Sequence, residues 1–112
     1  MENITFIGYS GRPYQFGIYP LSVNLPQEGG VYIFLYLDSH ARRFVYCGRG
    51  ENLDRESGRA DRDFCISSNK PNCVAVLIEP SEDKRCVIEQ DLLDNKEYKF
   101  ACNHWMEDGC GF

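Results

Sequence analysis

The chain of 112 residues has no apolar run close to the roughly 20 residues that a membrane-spanning helix needs. Its first residues, MENITFIGYSGR, lack the basic start and apolar stretch of a secretory signal peptide. Internal repeats, low-complexity tracts and linkers are also missing. These absences predict one soluble domain over 1–112, located in a reducing cytoplasm and without a membrane partner.

Basic residues are in the minority, with 12 lysines and arginines against 17 acidic residues and a net charge of −5. Tight non-specific binding to nucleic acid depends on cations that neutralise phosphates, so the charge total argues against it. A local basic patch can exist on an acidic protein. The composition therefore lowers the chance of a nucleic-acid partner without excluding one.

The sequence contains no CxxC pair, although six cysteines occur at positions 47, 65, 73, 86, 102 and 110. Three disulfides would require a secretory context. Cysteines inside apolar stretches behave as small hydrophobic residues, so we expect mostly free thiols. Zinc held by Cys102, His104 and Cys110 is an alternative, which the missing CxxC disfavours.

The apolar pattern predicts an α+β fold with a small central antiparallel sheet flanked by helices. The sheet is expected to contain 31–37, 43–48 and 73–79, and the first of these strands is apolar on both faces. Residues 1–28 predict an extra N-terminal hairpin followed by a loop. The core is expected over 29–103, and a C-terminal tail over 104–112.

Two helices are predicted, near 52–60 and 81–96. Asn52 and Ser81 are suitable N-caps, and acidic residues follow each of them in the first turn. These helices would pack on the sheet.

Two tyrosines are expected to meet on one face of the main hairpin. If Phe34 pairs with Tyr46, then Tyr32 and Tyr46 are diagonal neighbours about 7–8 Å apart at the backbone. A slip of one residue in register would separate them.

Glu89 falls inside the apolar arc of the second helix, which Cys86, Ile88, Leu92 and Leu93 form at helical spacing. One interpretation is a glutamate at the edge of the packed face, held by Arg85 or Lys96. The other is a carboxylate that points into a cleft beside the sheet, where it could hold a divalent cation.

Three arginines, Arg55, Arg59 and Arg62, follow the spacing i, i+4, i+7 and would form one stripe on the first helix. The stripe predicts either a solvated face balanced by neighbouring acids or a contact with phosphate. The sequence alone leaves both open.

In this order, the motifs resemble the GIY-YIG nuclease domain. GVYIF resembles its first motif, VYCG its second, GRGENLDRE the start of its arginine helix, and VIEQDLLDNKEYKFACN its glutamate helix and terminal asparagine. The resemblance covers about 30–103. Within the family, the chain is most similar in type to small stand-alone bacterial members.

The resemblance implies hydrolysis of a DNA phosphodiester with Mg²⁺ or Mn²⁺. Glu89 would hold the metal, and Tyr32 and Tyr46 correspond to the tyrosines that help the metal to activate water. Arg55 or Arg59 would steady the phosphate. Three further positions match the pattern as the terminal asparagine and as nucleic-acid contacts: Asn103, Arg49 and Arg62.

One departure supports an alternative function. The family's arginine position falls on Glu56, which replaces attraction for phosphate with repulsion. The alternative is a catalytically degenerate copy of the fold that acts as a protein-binding or inhibitory module on a nucleic-acid-processing complex. An acidic surface suits a basic partner.

Overall fold

A five-stranded antiparallel sheet organises the computed structural model, which describes residues 2–60 and 63–103. The order of strands in the sheet is β1-β2-β5-β3-β4. The strands are β1 (Asn3–Ile7), β2 (Pro13–Pro20), β3 (Gly30–Leu37), β4 (Arg42–Gly50) and β5 (Cys73–Ile78). The predicted α+β class is confirmed. The N-terminal hairpin is not separate from the central strands, because β2 pairs directly with β5.

The helices are α1 (Leu53–Ala60), α2 (Phe64–Ser68) and α3 (Glu82–Asp94). Both expected N-caps accept hydrogen bonds: Asn52 Oδ1 from the Arg55 amide at 3.1 Å and Ser81 Oγ from the Lys84 amide at 3.3 Å. The sequence did not predict α2, which Asp63 caps at 3.2 Å. Helix α3 ends at Asp94, two residues before the expected 96.

Apolar side chains cover the sheet on both faces, as the two-sided pattern of β3 predicts. On the α3 face, the core includes Val31, Ile33, Leu35, Cys47 and Leu92. On the opposite face, α1 and α2 pack over the sheet, and the core includes Tyr32, Phe34, Leu53, Ile66, Val74 and Val76. Successive side chains of β3 therefore point alternately into one core and the other.

The outer edge of β4 is covered from residue 44 to residue 47 by the segment 101–103. The amides of Ala101 and Cys102 donate to the carbonyls of Phe44 and Val45 at 3.2 and 2.8 Å. The Asn103 side chain then accepts from the Cys47 amide at 2.8 Å and donates to the Cys47 carbonyl at 3.0 Å. A side-chain amide thus replaces a neighbouring strand at Cys47.

Cys65 and Cys102 form a disulfide, and Cys86 is also disulfide-bonded. The expectation of mostly free thiols is therefore wrong for three of the five described cysteines. Because Cys102 is bonded to sulfur, it is not available as the thiolate that the zinc alternative requires. His104 and Cys110 lie outside the described residues. Cys47 and Cys73 are buried free thiols, as expected.

No helix in the described part of the chain is long and apolar enough to cross a bilayer. The cytoplasmic location stays a prediction, and the disulfide is an observation against it, because glutathione and thioredoxin keep cytosolic thiols reduced.

Candidate functional site

The two tyrosines of the hairpin meet as the sequence predicts. Phe34 pairs with Tyr46, and the ring centroids of Tyr32 and Tyr46 are 6.1 Å apart. Tyr32 pairs across the hairpin with Gly48. A Cβ at Gly48 would lie 2.7 Å from the Tyr32 Cζ and hydroxyl and 2.7 Å from the Tyr46 ring. Glycine is required there because both aromatic rings pass over its backbone.

Both hydroxyls are protonated at neutral pH. Burial, followed by the neighbouring Tyr46 and nearby acidic groups, raises the pKa of Tyr32 well above its ordinary value. Burial and the charge of Glu89 raise the pKa of Tyr46 to about 12, although a hydrogen bond from Tyr32 acts in the opposite direction. The pair therefore offers neutral hydroxyls rather than phenolates.

Glu89 points inward from α3 and is 3% exposed. Its Oε1 accepts a hydrogen bond from the Arg49 guanidinium, with which it forms an ion pair. Burial raises the pKa of the Glu89 carboxyl, and the charge and hydrogen bond of Arg49 limit that rise. A buried carboxylate without such a partner would take up a proton.

The partner of Glu89 differs from the two candidates that the sequence suggested. Arg85 is buried, but its guanidinium donates to the carbonyls of Glu79 and Pro80 at 3.1 and 3.0 Å. Lys96 is exposed beyond the end of α3. Arg49 takes this role instead, because it extends from the α3 face of β4 next to Glu89.

Tyr46, Arg49 and Glu89 line one cleft of about 380 Å³ at the junction of β4 and α3. Its wall contains one hydroxyl, two guanidinium groups and three carboxylates. The lining residues are Tyr46, Arg49, Gly50, Glu51, Glu82, Arg85 and Glu89. Tyr32 is not part of this lining but contacts Tyr46 from the core side. The cleft can present charged donors and acceptors to a ligand. Its wall has one more acidic side chain than basic side chains.

Two arginines of the predicted stripe, Arg55 and Arg59, lie on α1 outside the cleft lining. Arg55 Nη2 is 3.4 Å from Glu51 Oε1 and its Nε is 3.8 Å from Glu56 Oε1. Arg59 Nη1 is 3.9 Å from the same Glu56 oxygen, and both arginines are exposed. This geometry favours a solvated face balanced by acids. Arg62 lies outside the described residues.

Asn103 has a structural position at β4, where its amide pairs with the Cys47 backbone. It is 9% exposed and does not belong to the cleft lining. Cys47 lies between the two cleft residues Tyr46 and Arg49 along the strand. Asn103 therefore supports the strand that carries the cleft residues.

Sequence reasoning identified Arg49 as a nucleic-acid contact but missed its pairing with Glu89. The alternation of side chains along β4 could have indicated this pairing. Arg49 is two residues after Cys47 and therefore lies on the same face of β4, where α3 packs. It also missed Arg85, Glu51 and Glu82 as parts of the cleft wall.

A metal would have to bind here through few protein ligands. Among residues 2–60 and 63–103, no group of three or more histidine, cysteine or acidic side chains converges as a metal site. Glu89 is a single buried carboxylate, with Glu51 and Glu82 elsewhere on the wall. Mg²⁺ binds through one or two carboxylates, together with substrate phosphates and water. The donors present fit such a hydrated ion, provided that Arg49 releases the carboxylate.

No family model, curated protein or solved structure matches this chain.

Proposed function

We propose that this domain is a metal-dependent endonuclease of GIY-YIG type, which hydrolyses phosphodiester bonds of DNA. One observation carries the proposal: Tyr46, Arg49 and Glu89 line the same cleft, and Tyr32 contacts Tyr46 beside it. The sequence separates these residues by up to 57 positions between Tyr32 and Glu89 (89 − 32). Their convergence supports a shared chemical task.

Glu89 would hold Mg²⁺ or Mn²⁺, with water and substrate oxygens as the other ligands. Such an ion polarises the phosphate and lowers the pKa of a bound water. Glu89 is suited to this role because it is the least exposed carboxylate in the cleft wall and has a cationic partner that favours its charged form. A bound divalent cation would replace Arg49 at the carboxylate.

Arg49 would then bind a phosphate oxygen. Guanidinium groups bind phosphate through paired N–H donors, and the Arg49 side chain is 33% exposed at the cleft. Tyr46 would orient the attacking water through its hydroxyl, which stays protonated because its pKa is raised. Tyr32 would position Tyr46 through the contact between their rings.

This assignment makes Arg49, rather than Arg55 or Arg59, the phosphate-binding arginine. Arg55 contacts Glu51 and Glu56, Arg59 contacts Glu56, and both arginines are exposed. Arg49→Ala should reduce turnover strongly, whereas Arg55→Ala and Arg59→Ala should change it little. A strong loss with Arg55→Ala or Arg59→Ala would instead place the phosphate over α1.

The second candidate is a degenerate GIY-YIG-like domain that binds a protein and acts on a nucleic-acid-processing complex. Three carboxylates in the cleft wall, against two guanidinium groups, favour it. The chain's net charge of −5 also favours a basic partner over DNA. In this case the Arg49–Glu89 ion pair would hold the fold together and have no catalytic role.

The deciding experiment uses purified protein with Mg²⁺ or Mn²⁺ on duplex, branched and single-stranded DNA. We expect cleavage that Glu89→Gln abolishes, because glutamine keeps the shape and loses the charge that holds a metal. Glu97→Gln, an exposed glutamate outside the cleft, is the matched control and should retain activity. Absence of cleavage on all three substrates with both metals would reject the enzyme and leave the binding module.

A further inference from the structure

The disulfide between Cys65 and Cys102 joins α2 to the segment that covers β4. The two cysteines are 37 positions apart in sequence, and their Cα atoms are 5.9 Å apart. The Cys102 amide donates to the Val45 carbonyl at 2.8 Å. The next residue, Asn103, makes both hydrogen bonds to the Cys47 backbone. The covalent bond and the edge contacts of β4 are therefore adjacent in the chain.

Those edge contacts lie next to the cleft. Tyr46 and Arg49 line the cleft from positions one before and two after Cys47. Because backbone groups alternate along an antiparallel strand, Cys47 and Arg49 direct their N–H and C=O groups to the same edge. A displacement of the edge at Cys47 would reorient Arg49 and its contact with Glu89.

The two sulfurs differ in access. Cys102 is fully buried, whereas Cys65 is partly exposed at the surface of α2. The Asn69 side-chain amide nitrogen lies 3.7 Å from Cys65 Sγ and 3.6 Å from Cys102 Sγ, and it also donates to the Cys65 carbonyl at 2.8 Å. A reductant therefore meets Cys65 first, with an N–H donor beside both sulfurs to stabilise a departing thiolate.

We propose that Cys65–Cys102 is a redox-sensitive tether that sets the geometry of the cleft. A dithiol reductant attacks Cys65 Sγ through one thiolate, the S–S bond breaks, and Cys102 Sγ leaves as a thiolate that takes up a proton. The second thiol of the reductant then releases Cys65 as a thiol. Two electrons pass from the dithiol, which becomes a disulfide. The segment 101–103 then keeps its hydrogen bonds to β4 but loses the covalent link to α2.

Hydrogen exchange tests the tether without requiring any catalytic activity. In Cys65→Ser, and in Cys86→Ser treated with a dithiol, the amides of Cys47, Ala101 and Cys102 should exchange about tenfold faster or more, while the central Ile33 amide keeps its protection. The Cys86→Ser background is used because wild-type Cys86 is also disulfide-bonded and the dithiol would reduce that bond too. NMR signals of Arg49 and Glu89 should shift in the same samples. Cys73→Ala, which removes a buried free thiol on β5, should change none of them.

Unchanged exchange at Cys47 and Cys102 in Cys65→Ser would overturn the tether, as would faster exchange without any shift at Arg49 and Glu89. If Cys65→Ser does not fold, Cys86→Ser compared before and after dithiol treatment supplies the same comparison. If the domain hydrolyses DNA as proposed above, reduction of the Cys65–Cys102 disulfide should lower turnover. This part of the inference rests on the proposed function. A cleft that responds in an inactive protein would support the tether and reject the proposed function.

Discussion

The guanidinium of Arg49 and the carboxylate of Glu89 form an ion pair between an edge strand and the helix that packs on it. The glutamate is nearly inaccessible, with 4% of its side chain exposed, whereas the arginine is 33% exposed. Removal of the arginine therefore leaves a buried carboxyl group without its charged partner, while removal of the glutamate leaves a cation that can reach water. The two single variants should behave differently for this reason.

Arg49→Ala should raise the pKa of Glu89 further, because Arg49 supplies both influences that lower it. Carboxyl carbon chemical shifts recorded across a pH series measure this directly. At neutral pH the variant should lose about 1–3 kcal/mol of unfolding free energy, less than a fully buried pair would lose because Arg49 is partly hydrated. Arg12→Ala, which alters an arginine near Asp91 instead, should leave the Glu89 titration unchanged.

The pH dependence of stability has a definite sign at Glu89. A carboxyl whose pKa is raised by folding stabilises the protein below its ordinary value of 4.5, and this contribution is lost as the pH rises through the folded value. Wild-type protein should therefore lose unfolding free energy relative to Glu89→Gln as the pH rises from below 4.5 towards neutrality. Urea denaturation at a series of pH values provides the measurement. A wild-type protein that gains unfolding free energy relative to Glu89→Gln as the pH rises would contradict the prediction.

Gly48→Ala should destabilise the domain by about 1–3 kcal/mol, because the new methyl group meets both tyrosine rings at 2.7 Å. It should also separate Tyr32 from Tyr46 and lower the pKa of Tyr46 through increased hydration. Gly58→Ala is the matched control. Nothing lies within 4 Å of a Cβ at that helical position, so it should raise the unfolding free energy by about 0.5–1 kcal/mol. Thermal unfolding and absorbance titration measure both effects.

Asn103→Ala should reduce the unfolding free energy by about 1–3 kcal/mol, because the buried amide and carbonyl of Cys47 lose this partner. Asn72 is a natural control, since its side chain makes the same pair of hydrogen bonds with the Leu37 backbone at 2.9 and 2.7 Å, but at an exposed position. Asn72→Ala should have the smaller effect because water replaces the lost bonds. Equal losses would mean that burial at Cys47 has no influence.

Peptide mapping without reduction should recover Cys65 linked to Cys102, and Cys47 and Cys73 should be alkylated only after unfolding. Cys65→Ser should lower the unfolding free energy by about 2–4 kcal/mol, as expected for a cross-link that restricts the unfolded chain. Recovery of a free, alkylated Cys65 from protein kept under oxidising conditions would contradict this disulfide.

Local patterns were sufficient to predict the hairpin and the place of Glu89 within the apolar arc of α3. The pairing of Phe34 with Tyr46 was an assumption, which the structure confirms through a bulge that shifts the register between Phe34 and Leu35. Both inferences use neighbours within a few positions of one another. The N-cap roles of Asn52 and Ser81 were also predictable, because a cap accepts hydrogen bonds from amides within the following turn.

Distant partners were not predictable in the same way. The residues of the Arg49–Glu89 pair are 40 positions apart, and they meet only because α3 packs across β4. The pairing of Cys65 with Cys102 depends on the location of α2, a five-residue helix too short to give a periodic signal. The arginine stripe was clear in sequence, but the choice between solvent and phosphate required the positions of Glu51 and Glu56.

The position of β5 has a consequence for synthesis of the protein. It is the last strand among residues 2–60 and 63–103, yet it lies in the middle of the sheet between β2 and β3. The two earlier hairpins can form as the chain leaves the ribosome, but each exposes an unpaired strand edge until β5 has been translated and inserted. The nascent chain therefore passes through a stage open to aggregation, and completion of the sheet depends on the slow step of inserting a distant strand between two preformed ones.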